Sequence, residues 1–229
     1  MAKETFNRFE IKYRLNQQQW VGLVKDIQDY LVLDSYNVNN ELYRIHTLYV
    51  DTKDFHLIRE SMSKPAYKEK VRIRSYKMME EGGMVYLEIK KKYKGFVNKR
   101  RTQMLYEEAL SFLKTGDIEI KPYMNEQVVN ELRYIIKKYQ LGIASYVSYD
   151  RMAYFSKEDP NLRITFDTNI KEKILTEEEV LLNDGWLMEI KVGDALPVWL
   201  SRLLSKHQIY KQSFSKVGAA YQHHLETIR

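Results

Sequence analysis

The stretch Lys68-Glu69-Lys70-Val71-Arg72-Ile73-Arg74-Ser75-Tyr76 constrains this chain more than any other. Side chains alternate across a β-strand, so a strand here sends Lys68, Lys70, Arg72 and Arg74 to one face and Val71 and Ile73 to the other. Four like charges side by side repel one another, and the arrangement is economical only where something anionic neutralises them. The segment therefore predicts a sheet with one apolar face and one face built to meet a polyanion.

The 229 residues suffice for one large domain with a real core, expected to run over 1–229. With 44% hydrophobic and 30% charged residues, the composition is that of a globular chain rather than a disordered one. The 18 Tyr and 4 Pro favour a strand-rich domain. Cysteine is absent, which excludes disulfides and thiol chemistry. No stretch approaches the roughly 20 apolar residues of a membrane span, and Met1-Ala2-Lys3-Glu4-Thr5 lacks the apolar core of a secretion signal. The expected location is cytoplasmic. A net charge of +6 fits a nucleic acid, a membrane surface or a phosphate-rich ligand equally well.

Strands are expected at Phe6 to Leu15, Tyr43 to Asp51, Tyr67 to Lys77, Met84 to Lys91, Val97 to Met104, Ala144 to Phe155, Asn161 to Ile170 and Trp186 to Val192. Glu81-Gly82-Gly83 supplies a tight hairpin turn. Helices are expected after an Asn16 N-cap (Trp20, Leu23, Val24, Ile27 and Leu31 at helical spacing), around Asp54 to Ser61, at Leu105 to Lys114, Asn125 to Tyr139, Pro197 to His207 and Ser215 to Glu226. Short connections make the strands mostly antiparallel, with the helices outside.

The parity of the first strand repeats the charged-face pattern, with Arg8, Glu10, Lys12 and Arg14 opposite Phe9, Ile11 and Tyr13. Tyr86, Glu88 and Lys90 share a face, as do Arg163, Thr165 and Asp167, and Leu187, Glu189 and Lys191. Rolled into a closed barrel, these faces would line a charged lumen that needs water, metal and an anion to pair its cations. A solvated face is the bland reading of any one such strand; five together make it a poor one. A nucleic-acid groove is the competing reading, but it wants aromatics interleaved with the cations, and only Tyr76 and Tyr86 are so placed. No nucleic acid is therefore expected as a partner. His223-His224 cannot share a helix face as a metal pair needs, and Glu177-Glu178-Glu179 reads as a solvated loop or helix start.

Phe9-Glu10-Ile11-Lys12-Tyr13, Leu48-Tyr49-Val50-Asp51-Thr52, Lys70-Val71-Arg72-Ile73-Arg74, Leu87-Glu88-Ile89-Lys90, Tyr149-Asp150-Arg151-Met152-Ala153-Tyr154, Leu162-Arg163-Ile164-Thr165-Phe166-Asp167, Leu187-Met188-Glu189-Ile190-Lys191 and Ser213-Phe214-Ser215-Lys216 follow in this order. The series resembles the catalytic domain of the vacuolar transporter chaperone (VTC) family, the polyphosphate polymerases. That family lies within the triphosphate tunnel metalloenzyme, or CYTH-like, superfamily. The resemblance implies an α+β fold: a closed eight-stranded antiparallel β-barrel, the triphosphate tunnel, with helices packed outside. It implies transfer of the ATP γ-phosphoryl group to a polyphosphate chain, with Mn²⁺ or Mg²⁺. By the same resemblance Lys12, Arg72, Arg74, Lys90, Arg151, Arg163 and Lys216 are the phosphate ligands. Lys70 supports them, with one or more of Lys99, Arg100 and Arg101. Glu189 is the metal carboxylate, with Glu10 and Glu88 as supporting acids.

These residue types suit the chemistry. Phosphoryl transfer needs in-line positioning and neutralised oxygens rather than a protein nucleophile. Arg offers planar forked donors, Lys a point charge, and a hard cation takes oxygen ligands. The superfamily's triphosphatases and cyclases open with Glu-x-Glu-x-Lys; here the three positions are Arg8, Glu10 and Lys12. Losing the first acid weakens support for metal-activated water and favours polymerase over tunnel triphosphatase. A non-catalytic polyphosphate-binding module is the remaining alternative. Eukaryotic relatives carry membrane segments; none is read in this sequence, and a separate membrane partner is the corresponding expectation.

Overall fold

The computed structural model describes residues 9–94, 96–174, 179–183, 185–212 and 214–227. The sequence readings at Phe6 to Arg8, at Glu177 and Glu178, and at Ser213 fall outside the described residues.

Ten strands form one antiparallel sheet: β1 (Phe9–Leu15), β2 (Leu31–Leu33), β3 (Tyr43–Asp51), β4 (Tyr67–Ser75), β5 (Met84–Tyr93), β6 (Phe96–Leu105), β7 (Gly142–Ser156), β8 (Arg163–Ile174), β9 (Val180–Asn183) and β10 (Trp186–Val192). Eight lie on a continuous path, β1-β10-β8-β7-β3-β4-β5-β6. The short β2 pairs with the far end of β7, and β9 with the far end of β8. Neither was expected; Leu31, read as the last apolar position of a helix, begins β2 instead. The tight β4–β5 turn uses Gly82 at φ 76°, a value that a side chain would disfavour.

Helix α1 (Gln17–Ile27) begins with a reciprocal cap: Asn16 Oδ1 accepts the Gln19 N–H at 2.8 Å and Gln19 Oε1 accepts the Asn16 N–H at 3.0 Å. It packs with α5 (Val198–Lys206) on one half of the convex side. There Tyr13 and Leu15 of β1, Ile164 and Phe166 of β8, and Met188 and Ile190 of β10 are buried. Helices α3 (Tyr106–Thr115) and α4 (Glu126–Tyr139) cover the other half, over Val71, Ile73, Leu87, Ile89 and Met104. Truncating the fully buried Phe166 in such a core would cost about 3–5 kcal/mol. Helix α2 (His56–Met62) is anchored by Asp51, whose carboxylate accepts the Leu57 and Ile58 N–H groups. Helix α6 (Lys216–Thr227) lies on the concave side, with Phe214 and Ala219 on Ile45, Val147 and Leu187, and Val217 and Tyr221 on Ile58. Among the described residues no helix is long and apolar enough to cross a membrane.

The expected closed barrel is not what forms. The path ends at β1 and β6, which do not pair. The outer edge of β1 is engaged elsewhere: Tyr13 bridges to Lys211, and the Gln212 N–H donates to the Lys12 carbonyl at 2.9 Å. Backbone groups used there cannot also pair with β6. The sheet is nevertheless curled far enough for side chains to meet across the opening, where Lys90 Nζ on β5 donates to Glu10 Oε2 on β1 at 3.1 Å.

Candidate functional site

The register decides which side chains share the concave face, because directly opposed residues point the same way. Tyr49 lies opposite Arg72, Arg72 opposite Glu88, and Lys90 opposite both Lys70 and Lys99. On the other half Arg151 lies opposite Asp167, Glu189 opposite Thr165 and Lys12, and Lys191 opposite Arg163 and Glu10. Two sets of cations from distant parts of the sequence thus line one groove. Lys216 joins them from the first turn of α6.

Carboxylates hold many of these cations. Arg151 is bidentate on Asp167, Nε to Oδ1 at 2.6 Å and Nη2 to Oδ2 at 2.8 Å, and Lys216 Nζ donates to the same Oδ2 at 2.6 Å. Burial alone would raise the Asp167 carboxyl, but Arg151 and Lys216 hold it below the usual range. Arg72 Nε donates to Glu88 Oε2 at 2.7 Å, and Lys99 Nζ lies 2.6 Å from Glu88 Oε1. Lys12 stands between two acids, 3.5 Å from Glu10 and 3.7 Å from Glu189, with Lys191 3.3 Å from Glu189. Burial would neutralise Lys12, yet the two acids outweigh it and raise its pKa. Glu189 is likewise held well below the carboxylate range against its burial, chiefly by Lys191 and Lys12. Arg163 Nη2 donates to Asp34 at 3.1 Å.

Not every groove cation has that support. Among the described residues neither Lys70 nor Arg74 has a carboxylate within ion-pairing distance. Lys70 Nζ donates to Ser215 Oγ at 3.3 Å, and Arg74 Nη2 donates to the Tyr149 hydroxyl at 3.0 Å. Burial, with Lys12, Lys68 and Lys90 nearby, pushes Lys70 down to about 8 although Tyr49 opposes it. Lys99 falls to about 7, because burial and the nearby Arg72 and Arg74 outweigh Glu88. The same field acts oppositely on a hydroxyl: burial would raise Tyr49, but Arg72, Lys70, Arg74 and Lys216 bring it down to about 8. Among the described residues, Arg74 Nε, Arg163 Nε, Thr47 Oγ1 and Thr165 Oγ1 are buried on this face without a protein partner. A groove with surplus positive charge and orphaned polar atoms can take up a chain of phosphates, whose oxygens satisfy both.

Two sequence expectations need correcting. Arg100 is not on the groove: it lies opposite Ile89 on the convex face, where Nη1 sits 3.4 Å from Glu131 of α4. Lys99 and Arg101 take the groove side of that triplet. Nor do Glu10, Glu88 and Glu189 assemble as one acid cluster, since Glu88 is consumed by Arg72 and Lys99. No group of three or more acidic or histidine side chains forms a metal cage among the described residues. Glu10 and Glu189, on adjacent strands and both ionised, are the pair that fits a divalent cation with phosphate oxygens filling its shell. Asp34, beside a turn, and Tyr149, quoted only as part of a motif, carry no role in the sequence reading, whereas strand parity points to Lys191.

The family model of the VTC domain matches residues 7–225. No curated protein matches the chain significantly. A solved Bacillus halodurans protein, described as a "putative adenylate cyclase", superposes with a TM-score of 0.56 at 14% identity, covering 93% of this chain and 96% of its own. A Vibrio parahaemolyticus protein of the same description gives 0.52 at 14% identity, covering 95% and 99%. Identity that low speaks for a shared fold alone. The family match spans nearly the whole sequence and takes in both sets of groove-lining cations, so this chain belongs to the VTC domain family.

Proposed function

We propose that this protein is a metal-dependent polyphosphate polymerase, moving the γ-phosphoryl group of ATP onto a polyphosphate chain lying in the groove. The observation that carries the proposal is the surplus of groove-facing cations, above all the buried Arg74 and the half-buried Lys70, which have no carboxylate of their own among the described residues. A terminal oxygen of the acceptor chain attacks the γ-phosphorus, the bond to the β–γ bridging oxygen breaks, and ADP leaves. Arg72, Arg74, Arg151 and Arg163 fix and neutralise the non-bridging oxygens, with Lys12, Lys70, Lys90, Lys99 and Lys216 as point charges along the chain. Glu189 and Glu10 would hold Mn²⁺ or Mg²⁺, which when bound adds charge neutralisation at the phosphate oxygens.

Incubation with ATP, Mn²⁺ and a short polyphosphate primer, followed by gel sizing, tests this reading. Wild type should lengthen the primer, and Arg72→Ala and Glu189→Ala should not. The proximity of Glu10 and Glu189 to Lys12 favours one second reading, a tunnel triphosphatase using metal-activated water. Release of inorganic phosphate without primer growth would establish that instead. Tight polyphosphate binding with no ATP consumed would mark a binding module.

A further inference from the structure

Four tyrosines gather at one end of the groove: Tyr43 and Tyr76 rest in part on the cluster of Ile45, Val147 and Phe214, whereas Tyr36 and Tyr86 belong to no core cluster among the described residues. Tyr43 opens β3, Tyr76 follows β4 and Tyr86 lies near the start of β5. Antiparallel neighbours bring these three positions to the same end. Tyr36 comes from the turn before β3, which is tied down on both sides: Asp34 accepts the Tyr36 N–H at 3.1 Å, and Asn37 donates to the Arg151 carbonyl at 2.9 Å. The ring centroids lie 5.8 Å apart for Tyr36–Tyr43, 5.6 Å for Tyr36–Tyr76, and 6.2 Å for both Tyr43–Tyr76 and Tyr76–Tyr86. Arg101 covers the Tyr86 ring at 4.3 Å. Tyr36 is 62% exposed and the other three are half-buried, so the cluster keeps part of its aromatic surface open at the groove mouth.

The phosphate ligands begin beside these rings. Tyr43 lies opposite Arg151 and Tyr86 opposite Arg74. The other end differs in kind: beyond Arg72 and Glu88, the groove positions of β4 and β5 are Lys70, Lys68, Lys90 and Lys92, with Lys68 directly opposite Lys92. Polyphosphate is a uniform anion with no flat apolar part, and point charges suffice to hold it. A nucleoside triphosphate carries the same anion with an aromatic base at one end, and among the described residues the tyrosine end offers that base groove-facing rings, whereas the exposed Tyr67, Tyr93 and Phe96 of the lysine end have the opposite strand parity.

We propose that Tyr36, Tyr43, Tyr76 and Tyr86 form the platform for the base of a nucleoside triphosphate, which gives the groove a direction: base at the tyrosine mouth, polyphosphate toward the lysine mouth. The inference rests on the polymerase reading above and deepens it. Stacking reads the flat face of the base rather than its edges, so purine triphosphates should bind more tightly than pyrimidine ones, with little choice between adenine and guanine.

Equilibrium binding of ATP and of tripolyphosphate, measured in parallel, separates the two ideas. The double variant Tyr36→Ser/Tyr76→Leu should weaken ATP about tenfold, within the range of base–aromatic stacking, and leave tripolyphosphate unchanged. Tyr36→Phe should retain wild-type ATP affinity. Unaltered tripolyphosphate binding also shows that the variant is folded. If ATP and tripolyphosphate weaken together, or neither changes, the platform is refuted while the phosphate groove stands. If wild type binds neither compound, both readings fall.

Discussion

Arg151 and Arg74 stand on one face of one sheet and share a neighbour, Tyr149, yet the fold treats them in opposite ways. The Arg151 guanidinium lies over the Tyr149 ring and is locked bidentately on Asp167, which is 1% exposed and also holds Lys216. Among the described residues Arg74, 7% exposed, has only the Tyr149 hydroxyl, and its Nε has no partner. A paired buried cation is pre-organised, but its charge is already spent on its carboxylate. An unpaired one leaves the groove needing an anion. The site therefore combines a neutralised scaffold on the β7–β8 side with an uncompensated sector on β4, and the second provides most of the pull on a polyanion.

Removing the carboxylate from the scaffold is the harshest way to break that contrast. Asp167→Ala strands Arg151 and Lys216 together and should cost about 3–5 kcal/mol of stability in urea unfolding. Added tripolyphosphate should recover much of the loss, since it can neutralise the cations the carboxylate has abandoned. A variant as stable as wild type without ligand would show that the triad holds nothing together.

Arg74→Leu tests the opposite sector and should separate binding from folding. Loss of a charge-assisted contact worth about 1.5–3 kcal/mol lowers tripolyphosphate affinity tenfold or more. Stability without ligand should hold or rise, because a buried charge without a carboxylate has been removed. Equal losses in both measurements would make Arg74 a structural residue.

The contrast between the sectors was only half visible in the sequence. Period-two alternation announces which residues of β4 share a face, because Val71 and Ile73 fix the parity of Lys70, Arg72 and Arg74. The run Lys99-Arg100-Arg101 carries no such marker, and only the pairing of Arg100 with Ile89 decides it. Asp167 shared a readable face with Arg163, but its grip on Arg151 and Lys216 joins positions 16 and 49 residues apart, beyond any local pattern. Asp34 reaches Arg163 from a turn 129 residues away. Closure of the sheet was equally illegible, because it depends on which segment takes the free edge of β1, and residues 211 and 212 do so.

Proton linkage sharpens the comparison at intermediate cost. Lys70 at about 8 and Lys99 at about 7 are partly neutral in the bare groove near pH 8, and a bound phosphate chain favours their charged forms. Binding tripolyphosphate at pH 8 should therefore take up protons, seen in calorimetry as a dependence of the observed heat on buffer ionisation enthalpy. Lys70→Met should diminish the uptake. For stability the sign follows from folded pKa values depressed below the unfolded lysine value. Between about pH 7 and the unfolded lysine range the unfolded chain binds more protons, so these two groups make ligand-free stability rise with pH. Binding that releases protons at pH 8 would contradict the placement of both lysines.

The gentlest test compares neighbours on one strand. Arg100→Ala removes a partly exposed pair with Glu131 on the convex face, worth under about 1 kcal/mol, and should leave tripolyphosphate affinity unchanged. Arg101→Ala removes a groove cation lying over Tyr86 and should weaken ATP more than tripolyphosphate, because it takes away part of the ring surface as well as a charge. The two side chains are adjacent in sequence and identical in kind, so any difference between the variants arises from the face each occupies. Equal effects would mean that β6 does not keep the register with β5 on which the whole assignment of groove residues depends.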